Sequence, residues 1–223
     1  MTVAVRPRRA RRLGRHTSTD ATRRYFDKRA DAFDGFYAKS NQRFLRAGPW
    51  TGRELAASLL SEHPGSTVLD VGCGPGRVAE AVIDAGAAAY TGIDLSSRML
   101  TLARERLDGR PTVELVEGDF LDSDVGGRFD IVLALGLFDY LPDPPRAAEW
   151  MRTRCSSLLL ASFTRWEWVK GPIRHFHYEL LHRCPIRDYD EASAEAMLDA
   201  AGFAGVDFVL RGPRGFFVAA VPE

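Results

Sequence analysis

Val68-Leu69-Asp70-Val71-Gly72-Cys73-Gly74-Pro75-Gly76-Arg77 is the stretch on which the fold turns. An apolar β-type run ends in an acid and breaks at once into three glycines at alternate positions. This is how a buried parallel strand bends around a nucleotide-like ligand before entering a helix. Each glycine removes a Cβ where the chain must turn sharply or let a ligand approach its backbone. The dinucleotide fingerprint Gly-x-Gly-x-x-Gly requires glycine at position 77, and position 77 is arginine. The loop is therefore a binding loop of another kind.

Two further segments lie in register behind it. Tyr90-Thr91-Gly92-Ile93-Asp94 reads as a second short strand ending in an acid, and a carboxylate there can accept both hydroxyls of a ribose. Leu95-Ser96-Ser97-Arg98-Met99-Leu100 follows, with Ser96 placed as a helix N-cap. Val113-Glu114-Leu115-Val116-Glu117-Gly118-Asp119-Phe120 reads as a third strand, again closed by an acid. Together the segments resemble the class I S-adenosylmethionine-dependent methyltransferases. In that family Asp-x-Gly-x-Gly-x-Gly wraps the methionine end of the cofactor, Asp-x-Ser-x-x-Met-Leu follows strand two, and a strand-three acid binds the adenine amino group beside a ring-contacting residue. The resemblance implies a cofactor site made by Asp70, Gly72, Cys73, Gly74, Gly76, Asp94, Leu95, Met99, Gly118, Asp119 and Phe120. Leu135 at the end of strand four and Tyr25 on a preceding helix complete it.

The chain has 223 residues, enough for one α/β domain with appendages. It has no apolar run of membrane-spanning length and no signal-peptide core, so a cytoplasmic protein is expected. The three scattered cysteines, 73, 155 and 184, do not make a disulfide framework. A net charge of zero conceals an asymmetry: residues 1–24 hold eight arginines against Asp20, a net +7, which leaves the remainder at −7. The first 24 residues read as a basic, disordered tail, and the acidic body argues against a nucleic-acid partner.

Residues 25–223 read as the methyltransferase domain. Its helical cap at 25–60 carries an aromatic stripe from Tyr25 to Tyr37 and the pattern Ala-x-x-Phe-Asp-x-x-Tyr at 30–37, which in similar enzymes closes over the cofactor. Strands at 67–71, 89–93, 112–116, 130–135 and 157–163 alternate with helices at 77–85, 96–107 and 144–154, the pattern of a parallel sheet covered on both faces. A helix at about 191–201 then leads into 206–210, the Arg211-Gly212-Pro213-Arg214-Gly215 turn and 216–221, which reads as a hairpin with a reversed last strand. The expected fold is α/β and Rossmann-like: a doubly wound, mostly parallel seven-stranded sheet with an antiparallel C-terminal hairpin strand.

Ligands in such sheets lie beyond the carboxyl ends of the strands, so the loops after strands four and five face the chemistry. After strand four, Asp139 and Tyr140 occupy the Glu and His positions of the Leu-Glu-His-Leu-Pro-Asp run found in enzymes similar to the quinone-biosynthesis methyltransferases. The Asp/Asn-Pro-Pro-Tyr/Phe motif of enzymes acting on nucleic-acid bases is missing. After strand five, residues 165–189 form an aromatic, basic insert suited to a planar or acidic acceptor. Its His175, His177, His182 and Cys184 match no common zinc spacing, and no metal is expected. The catalytic candidates are His175, then Tyr140, His177 and Asp139, histidine being best matched to neutral pH. Gly215-Phe216-Phe217 after Arg211-Gly212 is similar to the ending of magnesium-protoporphyrin methyltransferases. The expected activity is methyl transfer from S-adenosylmethionine to a small organic acceptor, first at a hydroxyl, then at nitrogen or carbon. A nucleic-acid methyltransferase using the arginine tail and a non-catalytic cofactor-binding module are the alternatives, and an NAD oxidoreductase is the weakest.

Overall fold

A computed structural model describes residues 8–38, 49–167 and 170–223. Five strands, β1 (Thr67–Val71), β2 (Ala89–Asp94), β3 (Val113–Glu117), β4 (Phe129–Ala134) and β5 (Cys155–Thr164), pair in parallel in the order β3-β2-β1-β4-β5. The chain then closes with β6 (Phe203–Gly212) and β7 (Gly215–Pro222). β7 lies between β5 and β6, antiparallel to both, with Gly212 opposite Gly215 at the tight turn. The reversed strand expected from the sequence is thus β7, and the sheet order is β3-β2-β1-β4-β5-β7-β6.

The apolar runs in the central strands are explained by burial on both faces. Because side chains alternate across a strand, Leu69, Val132 and Leu159 enter one core while their neighbours Val68, Leu133 and Leu160 enter the other. The first core is covered by α5 (Pro144–Arg154) and α7 (Glu191–Ala200), through Met151 and Leu198. The second is covered by α2 (Pro49–Glu62), α3 (Arg77–Asp84) and α4 (Ser97–Arg106), through Leu60, Val82 and Leu100. Ser96 caps α4, its Oγ accepting from the Met99 amide at 3.1 Å, as its position suggested.

One expectation is corrected. Helix α1 spans Arg8–Ala38, so it begins inside the stretch read as a disordered tail, and Thr19, Ala21 and Thr22 are buried. The physical reason is packing beyond the aromatic stripe: Thr22 lies against Cys184, which is fully buried, so the helix gains apolar contact before residue 25. Residues 1–7 lie outside the described residues.

α1 is held across the domain by three acids on one face, at i, i+4 and i+7. Asp27 accepts from Ser96 Oγ at 2.6 Å, and Asp31 pairs with Arg98. Asp34 receives the Arg77 guanidinium at 2.7 and 3.1 Å and the Arg106 guanidinium at 2.9 and 3.0 Å. The two guanidinium groups hold the Asp34 carboxyl below its usual range against the opposing effect of burial. Arg106 also donates to the Pro75 carbonyl, so α1 is fastened to the glycine loop itself.

Asp34→Ala is expected to leave the central sheet folded while loosening α1. Hydrogen exchange across residues 19–35 should rise by about ten-fold or more, from the loss of charge-assisted bonds worth roughly 1.5–3 kcal/mol. Unchanged exchange there would mean that α1 is held by its aromatic contacts alone.

Candidate functional site

The carboxyl ends of β1, β2 and β3 are stitched together by backbone hydrogen bonds. The amides of Gly72 and Cys73 donate to the Ile93 carbonyl at 2.7 and 3.1 Å, and the Gly118 amide donates to the Asp94 carbonyl at 3.0 Å. At the centre, Asp94 Oδ2 accepts the Gly74 amide at 2.9 Å and Oδ1 accepts the Ser96 amide at 2.8 Å. Each of its oxygens retains acceptor capacity for a further donor. Burial pushes the Asp94 carboxyl up to about 6, opposed by these amides. Asp70 lies deeper, accepting the Tyr90 hydroxyl at 2.7 Å. Burial, reinforced by the charge of Asp94, pushes it up to about 7.

The glycines divide by role. A Cβ on Gly72 would meet Leu137, and one on Gly76 would meet Ala103 and Leu107 at 3.2 Å. Gly74, at φ 55°, faces open space, with nothing within 4 Å of a Cβ. It is the position where a ligand can approach the backbone.

That space is a cavity of about 790 Å³ with mostly apolar walls, within the range of ligand sites. Of the expected cofactor residues, Asp70, Gly72, Cys73, Gly74, Asp94, Leu95, Met99, Gly118, Asp119, Phe120 and Leu135 border it. Asp119 Oδ1 accepts the Leu121 amide at 3.0 Å, and Phe120 also packs edge-on against Trp150. Burial pushes the Cys73 thiol well up, which makes it wall and not nucleophile.

Two of the expected cofactor residues stand elsewhere. Gly76 precedes α3 and packs on α4, outside the cavity. Tyr25 is turned toward Tyr178 and His182, with ring centroids 4.9 and 5.3 Å away, and its neighbour Phe26 lines the cavity in its place. With Phe33, Phe26 presents α1 to the ligand space. The aromatic stripe carried this signal, but which aromatic faces inward depends on the helix's rotation against the domain.

The far half of the cavity is built by the segments after β4 and β5. Phe138–Tyr140 forms a 3₁₀ turn, and α6 (Lys170–His175) runs into a π-helical turn, Phe176–Leu181. Tyr140 donates its hydroxyl to that of Tyr178 at 3.3 Å and stacks edge-on with Phe26. Burial raises Tyr140 well above the ordinary phenol range. Asp139 is buried and fully engaged: it accepts the Thr164 amide at 3.2 Å, the Thr164 hydroxyl at 2.5 Å and Arg174 at 2.8 Å. Burial raises its carboxyl against the lowering by Arg174.

His175, the first catalytic candidate, does not border the cavity. Its Nε2 pairs with Asp188, which also takes Arg174 at 2.7 Å, and its Nδ1 lies 3.4 Å from Glu179. It therefore stands behind Arg174 and Asp188, which border the cavity, in one charge network with them. His177 does border the cavity and makes no hydrogen bond among the described residues, only ring contacts with Tyr178 and His182. His182 accepts from Arg29, and Cys184 is buried against Thr22, so apart from the His177–His182 ring contact these groups do not converge. Among the described residues no group of three or more His, Cys, Asp or Glu is placed to hold a metal ion. Arg174 and Tyr178 are wall residues that single-sequence reading left unassigned. The density of aromatic and basic residues at 165–189 was their only signal.

Comparison with known proteins agrees with this geometry. A model for a methyltransferase domain matches residues 68–157. A ubiquinone biosynthesis O-methyltransferase of Bordetella avium is 41% identical over 95 residues, covering 41% of this chain and 37% of the relative. A trans-aconitate 2-methyltransferase of Rhizobium etli is 35% identical over 92 residues, 41% of this chain and 34% of the relative. The chain thus aligns with about a third of the length of these curated relatives. Among solved structures, magnesium protoporphyrin IX methyltransferase from Synechocystis, bound to SAH, shares the fold at TM-score 0.68 and 21% identity, over 90% of this chain and 98% of that one.

Because the folded-state value of Asp70 lies above its unfolded one, its contribution to stability is full below about pH 4. That contribution is lost as pH rises through about 7. The stability of the ligand-free protein relative to Asp70→Asn should therefore fall between pH 5 and 8 in urea titrations. Parallel curves would show that the carboxyl ionises normally.

Proposed function

We propose that this chain, whose residues 68–157 match a model for a methyltransferase domain, is a class I methyltransferase that transfers a methyl group from S-adenosylmethionine to an oxygen of a small organic acceptor. The observation that carries the reading is the Gly74–Asp94 cradle, open on its ligand side and continuous with an aromatic chamber. The residues present suit the cofactor: Asp94 has acceptor capacity for ribose hydroxyls, Asp119 and Phe120 border the same cavity as an acid and a ring for the adenine, and the glycine loop leaves room for the methionine end. The acceptor half, walled by Phe26, Tyr140 and Tyr178, suits a planar or apolar body. Three free, buried cysteines fit a cytoplasmic protein.

The cofactor supplies an electrophilic methyl on sulfur: the acceptor oxygen forms the new C–O bond as the C–S bond breaks, releasing S-adenosylhomocysteine and a proton. The protein's main contribution is alignment, worth up to roughly 7–11 kcal/mol. Asp139, locked by Thr164 and Arg174, positions the wall after β4 and is not available to take the proton. His177, facing the cavity with no competing hydrogen bond among the described residues, is the base we assign, with Tyr140 and Tyr178 orienting the acceptor. His175 acts through Asp188 and Arg174 as a positioning residue.

Mass spectrometry of a metabolite pool incubated with the protein and isotopically labelled S-adenosylmethionine tests the activity. A labelled product is expected, and cofactor binding without turnover across acceptors would leave a binding module. Asp94→Ala should weaken cofactor binding by about 2 kcal/mol or more in calorimetry. Gly74→Val should cost more still, because it fills the open approach and strains a positive φ.

His177→Ala is expected to lower turnover about 10²- to 10⁴-fold with cofactor affinity nearly intact. His175→Ala should instead lower the melting temperature and depress binding and rate together. The opposite pattern would return the base to His175.

A further inference from the structure

Two buried hydroxyls on α1 border the cavity with hydrogen-bonding capacity unused. Thr19 and Thr22 are 6 and 5% exposed, and both line the ligand space. They stand at i and i+3, with Phe26 at i+7, so one face of the helix presents two hydroxyls and a ring to the same cavity. A helical threonine can turn its hydroxyl back on the carbonyl four residues earlier, as Thr101 does on Ser97 at 2.9 Å. Thr19 makes no side-chain hydrogen bond among the described residues. Thr22 accepts the weak Cys184 thiol at 3.8 Å, which leaves its own O–H to donate. Buried polar groups are nearly always paired, so two such hydroxyls at a cavity wall call for a partner that arrives with a ligand.

Their place on α1 decides which part of a ligand they meet. Asp27 bonds Ser96 beside the Asp94 cradle. Thr19 precedes Asp27 by eight residues, about 12 Å along the helix axis. The hydroxyls therefore belong to the acceptor end, beyond the edge-on pair of Phe26 and Tyr140. Arg165, Arg174 and Arg214 also border the cavity, but Glu191, Asp139 with Asp188, and Glu167 pair with them in turn. An ionised substituent would meet no unpaired guanidinium among these three. A neutral hydroxyl or carbonyl suits threonine hydroxyls, which both donate and accept.

We propose that Thr19 and Thr22 are specificity-determining residues that hydrogen-bond a neutral oxygen substituent at the end of the acceptor remote from the methylated oxygen. The acceptor is then a planar ring compound oxygenated at both ends. An apolar tail at that end would leave both hydroxyls buried without a partner, which a site of this kind rejects. The inference rests on the reading of the chamber as an acceptor site and names the class of compound it takes.

The probes are emodin and chrysophanol, planar polyphenols that differ by one hydroxyl. They are titrated into the full chain saturated with S-adenosylhomocysteine, in buffer acidic enough to keep both neutral. The wild-type protein is expected to bind emodin about ten-fold or more tightly than chrysophanol, and the Thr19→Val, Thr22→Val double variant to bring the two within about two-fold. S-adenosylhomocysteine affinity should stay the same. Valine keeps the shape of threonine, and Thr19→Val deprives no protein group of a partner, so that variant should melt no lower than the wild type without ligand. Thr19→Val alone carries the test if the double variant fails to fold, with the preference narrowed to about three-fold or less. Equal binding of the two probes, a preference kept by the variants, or binding of neither probe by protein holding S-adenosylhomocysteine overturns the proposal. A lower melting temperature for Thr19→Val also overturns it, because the hydroxyl would then be bonded within the fold. The expected preference, with no labelled methyl on any acceptor in the metabolite pool, supports the subsite and overturns the methyl-transfer reading alone.

Discussion

The hydrogen bond from the Gly74 amide to the Asp94 carboxylate joins two strand ends that the sequence separates by twenty residues. Around it the site is assembled. Its other oxygen holds the Ser96 amide, and Ser96 in turn starts α4 and receives α1 through Asp27. A single carboxylate therefore sets the path of the glycine loop, the origin of a helix and, one contact further out, the seat of the helix that covers the cavity. Placing a carboxylate where burial opposes its ionisation has a cost, which the two amides partly offset. Each oxygen keeps acceptor capacity for a further donor at the same point.

Arg77 shows how a departure from one motif serves another end. The dinucleotide fingerprint would place glycine there, and this chain places a guanidinium that reaches across to Asp34 on α1. Arg106 reaches the same carboxylate from α4 and touches the glycine loop at Pro75. The cover over the cavity and the loop beneath it are thus tied through one half-buried acid, so motion of α1 is mechanically coupled to the loop.

The half of the cavity built after β4 and β5 is organised differently, by burial of charge. Arg174 bridges Asp139 and Asp188, and His175 closes the chain on Asp188. These groups satisfy one another within the cavity wall, which they share with aromatic rings and His177, while His175 stands behind it. Removing one partner from such a network leaves the others buried without compensation, so these residues belong to the framework of the chamber.

Much of this was legible in the sequence because it is written in local pattern. The glycine spacing, the acids closing β1, β2 and β3, and the Gly-Pro turn between β6 and β7 each act through neighbours a few residues away, and each stands where periodicity placed it. The side on which a residue finally lies depends on packing between distant elements. The rotation of α1 turned Phe26 inward and Tyr25 aside, and Asp188 drew His175 behind the wall while His177, two positions on, faced the cavity. The extent of α1 before residue 25 was likewise hidden, since Thr22 finds Cys184 only once the insert has folded back over it. Sequence by itself determined the sheet and the loops at the carboxyl ends of its first strands, through hydrogen-bonding geometry and alternation along the chain. Only the tertiary structure decided which polar groups were consumed by one another and which remained for a ligand, because that choice is made by partners on different elements, beyond the reach of local pattern.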